Sequence, residues 1–171
     1  MRKYPYIGAQ LAAAVTYLKN HKGQVSPVTL DIGANDLLPD INTSNCTISS
    51  SFNNDLATVD AHVKTILTQL QTVMTVNGHM TGDIVMMNYY DPYQNICPNT
   101  VPGIQLLNQH LADDVQGFGI MVDVFDAFGG AGVPNNNICN YTWMCSIFKD
   151  VHGTDQGYSV MASTFENGVG Y

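Results

Sequence analysis

The sequence contains few basic residues: six Lys and Arg stand against 14 Asp and Glu, and the formal net charge is −8. Because such a negative field repels a phosphate backbone, this composition argues against nucleic-acid binding. Long hydrophobic runs are also missing, since no apolar stretch approaches the roughly 18 residues that a membrane-spanning helix needs. The first residues, MRKYPYIG, carry positive charge without the apolar segment of a signal peptide. We therefore expect a soluble globular domain without a membrane span.

Cysteine is also scarce, and its spacing is not that of a metal site. None of the four cysteines lies in a Cys-x-x-Cys pair or alternates with His, which argues against zinc. We expect no metal and no other cofactor. An even number of cysteines in an Asn-rich sequence is typical of disulfides formed in an oxidising compartment. We therefore expect the parent protein to be extracellular.

Apolar periodicity divides the chain into alternating helices and strands. Spacings of three and four predict helices over residues 7–18, 52–76, 101–115 and 155–166. Short apolar runs predict strands over residues 28–32, 83–89 and 119–125, with loops over residues 39–51 and 129–140. Asn77 and Gly78 are the predicted stop of the second helix. This alternation is typical of parallel β-α units, so we predict one α/β domain, residues 1–171, with a short parallel sheet flanked by helices.

The positions of the cysteines in this plan predict how they pair. Cys139 and Cys145 lie in or beside the last predicted loop, close enough in sequence to bond to each other. Cys46 and Cys97 each follow the carboxyl end of a predicted strand, and those two strands are expected to be neighbours. We therefore predict the disulfides Cys46–Cys97 and Cys139–Cys145.

Polar side chains follow the predicted strands at their carboxyl ends, where α/β proteins place their active sites. Gly33-Ala-Asn35-Asp36 follows the first strand, and Asp150-Val-His152 precedes the last helix. A base of near-neutral pKa and an amide donor for a developing oxyanion are groups that acyl transfer needs. Asp36, in contrast, is predicted to cap the turn or helix that starts there.

Three segments resemble the SGNH (GDSL-type) hydrolase family in their order and spacing: VTLDIGANDLL, MMNYYDPY and DVHGTDQGYSVMA. The resemblance covers nearly the whole chain and implies a three-layer α/β/α fold. It also implies an esterase or lipase-like activity on short-chain acyl esters. By this resemblance Asn35 donates to the oxyanion and His152 is the general base, with Asp150 as the group that orients its ring.

The chain departs from the family pattern at the nucleophile. No Gly-Asp-Ser or Gly-x-Ser-x-Gly sequence occurs, and the family's second block, which supplies an oxyanion Gly, is missing too. Five serines are candidates for the missing nucleophile: Ser44, Ser49, Ser50, Ser51 and Ser146. Water activated directly by His152 is a second route. The alternative function is that of a catalytically inactive remnant, a binding or structural module with the same fold.

Other residues near the strand ends have weaker signals. Gly33, Tyr89 and Tyr90 are predicted to contact the substrate, although aromatic residues at a strand end also serve as core or rim. The remaining histidines have no partners at useful spacing, and we interpret them as solvated or packed residues: His21, His62, His79 and His110.

The same resemblance implies that the chain lacks the first two strands of the family fold, which precede the two missing blocks, and this has a consequence for assembly. Without the first two, the strand between Val28 and Ile32 becomes an edge of the sheet. An apolar edge with unpaired amides is a template for pairing with another chain. We therefore predict a homodimer or larger oligomer through residues 28–32.

Overall fold

A computed structural model describes residues 7–170, so residues 1–6, with most of the stretch examined for a signal peptide, and residue 171 lie outside the described part. In chain order the elements are α1 (Gln10–Asn20), β1 (Val28–Leu30), α2 (Ala34–Leu37), β2 (Ile41–Asn42), β3 (Thr47–Ile48), α3 (Phe52–Met74), β4 (Thr75–Val76), β5 (His79–Met80), β6 (Ile84–Met87), α4 (Val101–Val115), β7 (Ile120–Val122), α5 (Val124–Ala127), α6 (Asn136–Tyr141) and α7 (Asp155–Val169). Within residues 7–170, no helix is both long and apolar enough to cross a bilayer.

The centre of the fold is a parallel sheet with the strand order β1-β6-β7. Val28 of β1 lies opposite Ile84 of β6, and Val85 lies opposite Ile120 of β7. All four side chains of β6 are buried, which is the continuous apolar run expected of a strand covered on both faces. The predicted α/β class, with a short parallel sheet flanked by helices, is confirmed.

Helices cover both faces of this sheet. Ile84 and Met86 pack against one layer, formed by α1, α3 and α4. Val85 and Met87 point the other way, where they join Met161 of α7 and residues of α6 in a second apolar cluster. Because successive side chains of a strand point to opposite faces, β6 alone contributes to both halves of the core.

The longest helix, α3, is held to the sheet by one apolar stripe. Its buried side chains recur at helical spacing: Phe52, Leu56, Val59, Val63, Leu67, Leu70 and Met74. Full burial of each such leucine contributes roughly 1.5–3 kcal/mol, so packing rather than intrinsic propensity stabilises this helix. The same stripe borders the cavity described below.

Most predicted boundaries differ from the observed ones by one to three residues, and two of them differ for identifiable local reasons. The strand predicted to reach residue 125 ends at Val122, because the Asp123 carboxylate accepts the N–H of Asp126 and starts helix α5. Asn77 and Gly78 do not end α3 directly. They have φ values of 51° and 83° and form the two-residue turn between β4 and β5, a conformation that Asn-Gly favours in tight hairpins.

The segments predicted as loops contain regular structure. Residues 39–51 include the β2–β3 hairpin, and residues 129–140 include most of α6. The last helix also continues beyond its predicted end to Val169, where Gly170 terminates it in the left-handed conformation. These elements are too short, or too poor in apolar periodicity, to give a sequence signal.

Both predicted disulfides are present. Cys46 bonds to Cys97 with a Cα–Cα distance of 5.2 Å, and Cys139 bonds to Cys145 with a Cα–Cα distance of 5.0 Å. The first ties the β2–β3 hairpin to the segment after β6. The second closes the chain between α6 and the turn at Trp143–Cys145.

Candidate functional site

A cavity of about 480 Å³ lies at the carboxyl ends of β1 and β6. This volume falls within the range of small-molecule sites in proteins. Asn35 and His152 both line it, together with the predicted substrate-binding residues Gly33, Tyr89 and Tyr90. The fold therefore brings the oxyanion-donor candidate and the base candidate to one cavity, although they are far apart in sequence.

Gly33 sets the direction in which the chain leaves β1. Its φ is +114°, and a Cβ there would lie 3.2 Å from Cγ1 of Val59, so glycine is the residue that this turn accepts. The turn leads directly into α2 and places Asn35 in the cavity wall. The predicted capping role of Asp36 is wrong. Gly33 occupies the N-cap position, no side chain caps α2, and Asp36 lies inside its first turn.

Asp150 and His152 form a close pair. The Nδ1 atom of His152 lies 2.5 Å from Oδ1 of Asp150, and the same oxygen accepts the backbone N–H of His152 at 2.9 Å. Because a carboxylate only accepts hydrogen bonds, this contact selects the tautomer of the neutral imidazole in which Nδ1 carries the proton and Nε2 has the lone pair. The hydrogen bond from the His152 backbone, followed by that from its ring, lowers the pKa of Asp150.

An unusual backbone conformation precedes this pair. Lys149 has a φ of +47°, in the left-handed region that residues other than glycine seldom adopt. The turn it makes directs the chain so that the Asp150 side chain reaches forward to the residue two positions on. A conformation normally adopted by glycine is thus adopted by a lysine directly before Asp150, the residue that pairs with the candidate base.

The backbone around His152 is anchored from two sides. The Trp143 N–H donates to the His152 carbonyl at 3.0 Å, and the Tyr90 hydroxyl donates to the Val151 carbonyl at 2.7 Å. The Tyr90 ring is itself stacked on the buried Phe128, with ring centroids 4.3 Å apart. These contacts hold the segment that carries the imidazole on a rigid support.

Tyr89 is fixed in the cavity by an amide clamp. Its backbone N–H donates to Oδ1 of Asn108, and Nδ2 of Asn108 donates to its carbonyl, both at 2.8 Å. Burial, followed by the nearby Asp31 carboxylate, raises the pKa of the Tyr89 hydroxyl, and burial is also the main cause that raises the pKa of Tyr90. Both phenols are therefore neutral hydrogen-bonding groups at physiological pH.

The sequence interpretation missed several polar residues of this cavity, and two of them can ionise close to the predicted site residues. His62, interpreted as solvated or packed, lines it from α3, and Asp31 lines it from the end of β1. A signal existed for Asp31, since a carboxylate interrupts an otherwise apolar run. For His62 the only signal was its position next to Val63 at the border of the apolar stripe, which local spacing does not distinguish from solvent exposure.

No hydroxyl or thiol nucleophile of Ser, Thr or Cys lines the cavity in the described part of the chain. The serines suggested by the sequence have other positions. Ser51 donates to Asp40 at 2.7 Å and lies 2.7 Å from the hydroxyl of Ser49, while Ser146 donates to the Trp143 carbonyl at 2.6 Å. Ser44 and Ser50 are exposed and also lie outside the cavity walls.

No group of three or more His, Cys, Asp or Glu side chains is arranged to hold a metal ion between residues 7 and 170. Comparison with protein-family models, curated proteins and solved structures finds no match to the chain. What the cavity does is therefore inferred from its own residues.

Proposed function

We propose that this chain is a carboxylic ester hydrolase that acts on short-chain acyl esters in the cavity at the carboxyl ends of β1 and β6. His152 is the general base, Asp150 orients its ring, and Asn35 donates to the oxyanion. The observation that carries the proposal is that Asn35 and His152 line the same cavity, with the Nδ1 atom of His152 bonded to Asp150.

The nucleophile in this proposal is water, since the described cavity walls contain no Ser, Thr or Cys. Nε2 of His152 removes a proton from water as its oxygen bonds to the ester carbonyl carbon. The negative charge that develops on the carbonyl oxygen accepts a hydrogen bond from the Asn35 amide. When the bond between carbon and the alcohol oxygen breaks, the imidazolium returns its proton to that oxygen, which leaves an acid and an alcohol.

The composition of the cavity walls favours an uncharged ester with a short acyl chain. One side is apolar, formed by Val59, Val63 and Ile66 of α3, and matches a hydrocarbon chain. The lining also includes the Asp31 and Asp36 carboxylates, and no Lys or Arg contributes to the described lining. An anionic ester would therefore meet repulsion at this site without a compensating cation.

The test compares the hydrolysis of p-nitrophenyl acetate and butyrate by the wild type, His152→Ala and Asn35→Ala. We expect kcat/KM to fall roughly 100-fold in each variant, since a positioned base and an oxyanion donor each contribute about that much. His79→Ala is the matched control, because imidazole alone cleaves activated esters and His79 is an exposed histidine of β5. Equal rates for the wild type and His152→Ala would refute hydrolysis at this site.

A fluorophosphonate label followed by mass spectrometry separates the two chemical routes. Direct attack by water predicts that no side chain is labelled while hydrolysis continues. A labelled serine would contradict direct attack by water and indicate an acyl-enzyme intermediate. His152 would then have to activate that serine instead of water.

The second candidate is a binding module without turnover, with the same cavity as its ligand site. The absence of a Ser, Thr or Cys nucleophile from the described cavity walls favours it. Measuring ligand binding and ester hydrolysis on the same protein distinguishes the two functions. A module would bind a non-hydrolysable short-chain acyl amide, measured by calorimetry, and would show no ester hydrolysis above that of His152→Ala.

We further propose kinship with the SGNH hydrolases and an extracellular location for the parent protein. The parallel sheet with Asn35 after its first strand and His152 before its last helix supports the kinship. The two disulfides are compatible with an oxidising compartment.

Self-association through the first strand is also a proposal. β1 lies at the edge of the parallel sheet, so its outer backbone groups have no neighbour in that sheet. We propose that residues 28–32 pair with a second copy. Light scattering at micromolar concentration tests this, and a monodisperse monomer would contradict it. Thr29→Pro, which removes an edge amide, is expected to favour the monomer.

A further inference from the structure

Three large apolar side chains are exposed on one loop, residues 143–148, directly before the Asp150–His152 pair. Ile147 is 92 % exposed, Phe148 is 72 % exposed and Trp143 is 44 % exposed. The Trp143 and Phe148 rings meet edge to face, with centroids 6.4 Å apart. Single exposed apolar residues are ordinary in proteins, but a cluster of this kind marks an interaction surface. We refer to residues 143–148 as the apolar loop.

The apolar loop is held in shape by its own bonds. Cys145 is disulfide-bonded to Cys139, and the Ser146 N–H donates to the Trp143 carbonyl at 3.0 Å. The Ser146 hydroxyl in turn accepts the Phe148 N–H at 3.1 Å. A loop bonded in this way keeps its apolar side chains directed outward, and little conformational entropy remains to be lost when a partner covers them.

The charge around the apolar loop differs from that of the rest of the chain. Residues 127–149 contain no Asp or Glu and a single basic residue, Lys149, whereas the whole chain has a net charge of −8. The next acid along the chain, Asp150, is paired with His152. An apolar loop in a segment with so little charge matches a partner that is apolar beneath an electrically neutral surface. A zwitterionic lipid bilayer has these properties, and Trp is a side chain that its interface favours.

We propose that the apolar loop docks the protein on a lipid bilayer, with Trp143, Ile147 and Phe148 inserted among the headgroups and upper acyl chains. The backbone N–H of Trp143 donates to the His152 carbonyl, so a docked loop keeps the candidate base and the cavity that it lines close to the lipid surface. Docking goes beyond the proposed ester hydrolysis, and it is measured without turnover, so each of the two can fail alone.

The fluorescence of Trp143 provides a probe for this test. Trp143 is the one tryptophan in the sequence, so intrinsic tryptophan emission reports on the apolar loop alone. We titrate the protein with phosphatidylcholine vesicles and record the emission spectrum. Insertion shifts the emission to shorter wavelength, and phosphatidylcholine brominated on its acyl chains quenches it. An unchanged spectrum at high lipid concentration would overturn the proposal.

Two double variants connect the signal to the loop. Ile147→Ser with Phe148→Ser removes two exposed apolar side chains, retains Trp143, and is expected to lower the vesicle partition coefficient roughly tenfold or more. The matched control is Ile96→Ser with Leu106→Ser, two residues that are 50 % and 40 % exposed elsewhere on the surface. Equal partition of the two double variants would overturn the assignment to the apolar loop.

The alternative partner for the apolar loop is a second copy of this chain. If the apolar loop were a contact between copies, the emission shift would grow with protein concentration in the absence of lipid, and the Ile147→Ser, Phe148→Ser variant would abolish it. That result would overturn lipid docking. Hydrolysis of soluble p-nitrophenyl butyrate, measured on the same variants, is expected to remain at the wild-type rate, because neither substituted side chain lines the cavity.

Discussion

Asp150 contacts His152 twice through one oxygen: Oδ1 lies 2.5 Å from the ring Nδ1 and accepts the backbone N–H at 2.9 Å. This arrangement needs only two residues of separation, because a side chain can accept the N–H of the residue two positions on. The carboxylate therefore fixes both the path of the backbone and the tautomer of the imidazole. A short local motif thus provides what catalytic sites often obtain from a distant acid.

The first prediction concerns the ionisation of Asp150. Its pKa is lowered from the ordinary 3.8 by the hydrogen bonds from His152, so the carboxylate remains charged when an ordinary carboxyl is half protonated. Its interaction is present above the ordinary pKa and is lost as the pH falls through the lowered value. A carbon-detected NMR titration of the Asp150 carboxyl is expected to show a midpoint below 3.8. A midpoint above that value would contradict the pairing.

The second prediction concerns Asp150→Asn. An amide can donate to Nδ1, which favours the tautomer whose proton lies on Nε2 and leaves no base directed at water. We expect kcat for ester hydrolysis to fall roughly 100-fold with KM unchanged. Asp155→Asn, an exposed carboxylate in the first turn of α7, is the control and is expected to retain wild-type kcat. A fall in KM as large as the fall in kcat would argue against a positioning role.

The third prediction concerns Tyr90→Phe. The variant loses the hydrogen bond to the Val151 carbonyl but retains the stacking on Phe128. We expect the free energy of unfolding to fall by about 1 kcal/mol, measured by urea denaturation. The ring signals of His152 in an NMR spectrum are expected to shift, since the neighbouring backbone loses its anchor. Unchanged His152 signals would mean that Trp143 alone positions this segment.

The fourth prediction concerns Asp91, a fully buried carboxylate that accepts the Thr100 hydroxyl at 2.5 Å and the Tyr93 N–H at 2.9 Å. Asp91→Ala leaves the Tyr93 N–H without this acceptor, whereas the Thr100 hydroxyl keeps the Cys97 carbonyl as a partner, and the variant is expected to lower the free energy of unfolding by about 2 kcal/mol. Burial raises the pKa of Asp91 above 3.8, so its stabilising effect is greatest below that pH and is lost as the pH rises through the raised value.

Asp91→Asn separates the charge from the hydrogen bonds. Because the amide does not ionise, its stability relative to the wild type is expected to improve as the pH rises from 3.8 toward neutrality. Urea denaturation of both proteins at several pH values measures this difference. A difference that does not change with pH would show that Asp91 is not the buried titrating group.

The fifth prediction compares the two disulfides. Cys46 and Cys97 are separated by 51 positions, and Cys139 and Cys145 by six. Because cross-linking a longer loop restricts the unfolded chain more, replacing the first pair by Ala is expected to cost about 4 kcal/mol and the second about 2 kcal/mol. Thermal denaturation of the two double variants gives the order. A larger loss from the shorter loop would contradict an origin in the unfolded chain.

Much of the fold was predictable because its signals are local. The helix at Val101–Val115 has the predicted bounds, since its buried residues recur at helical spacing and Gln116 leaves the helical conformation. The segment at residues 123–125 was predicted as the end of a strand because it belongs to a short apolar run. This segment starts helix α5 instead, because the Asp123 side chain accepts the Asp126 N–H. The apolar pattern carries no information about such a cap.

The candidate site was predictable only in part, because local sequence signals identify candidate residues but not which of them meet in space. Asn35, Asp150 and His152 lie beside ends of elements, where sequence patterns are informative. Four serines after residue 39 were candidates for the nucleophile: Ser44, Ser49, Ser50 and Ser51. The hairpin β2–β3 and the Cys46–Cys97 disulfide give that segment its own contacts, among them the bond from Ser51 to Asp40.

The sequence by itself determined the alternation of helices and strands and the closure of Cys139 on Cys145, since both depend on spacing along the chain. The Cys46–Cys97 pairing followed from the expected adjacency of two strands, and the Asp150–His152 pair followed from the family resemblance. The tertiary structure decided which side chains share a cavity. His62 and Asp31 joined Asn35 there, and the Ser candidates did not, because the packing of α3 and β1 sets the direction of each side chain. Local spacing reports which face of an element is buried, but only the packing of several elements reports what that face meets.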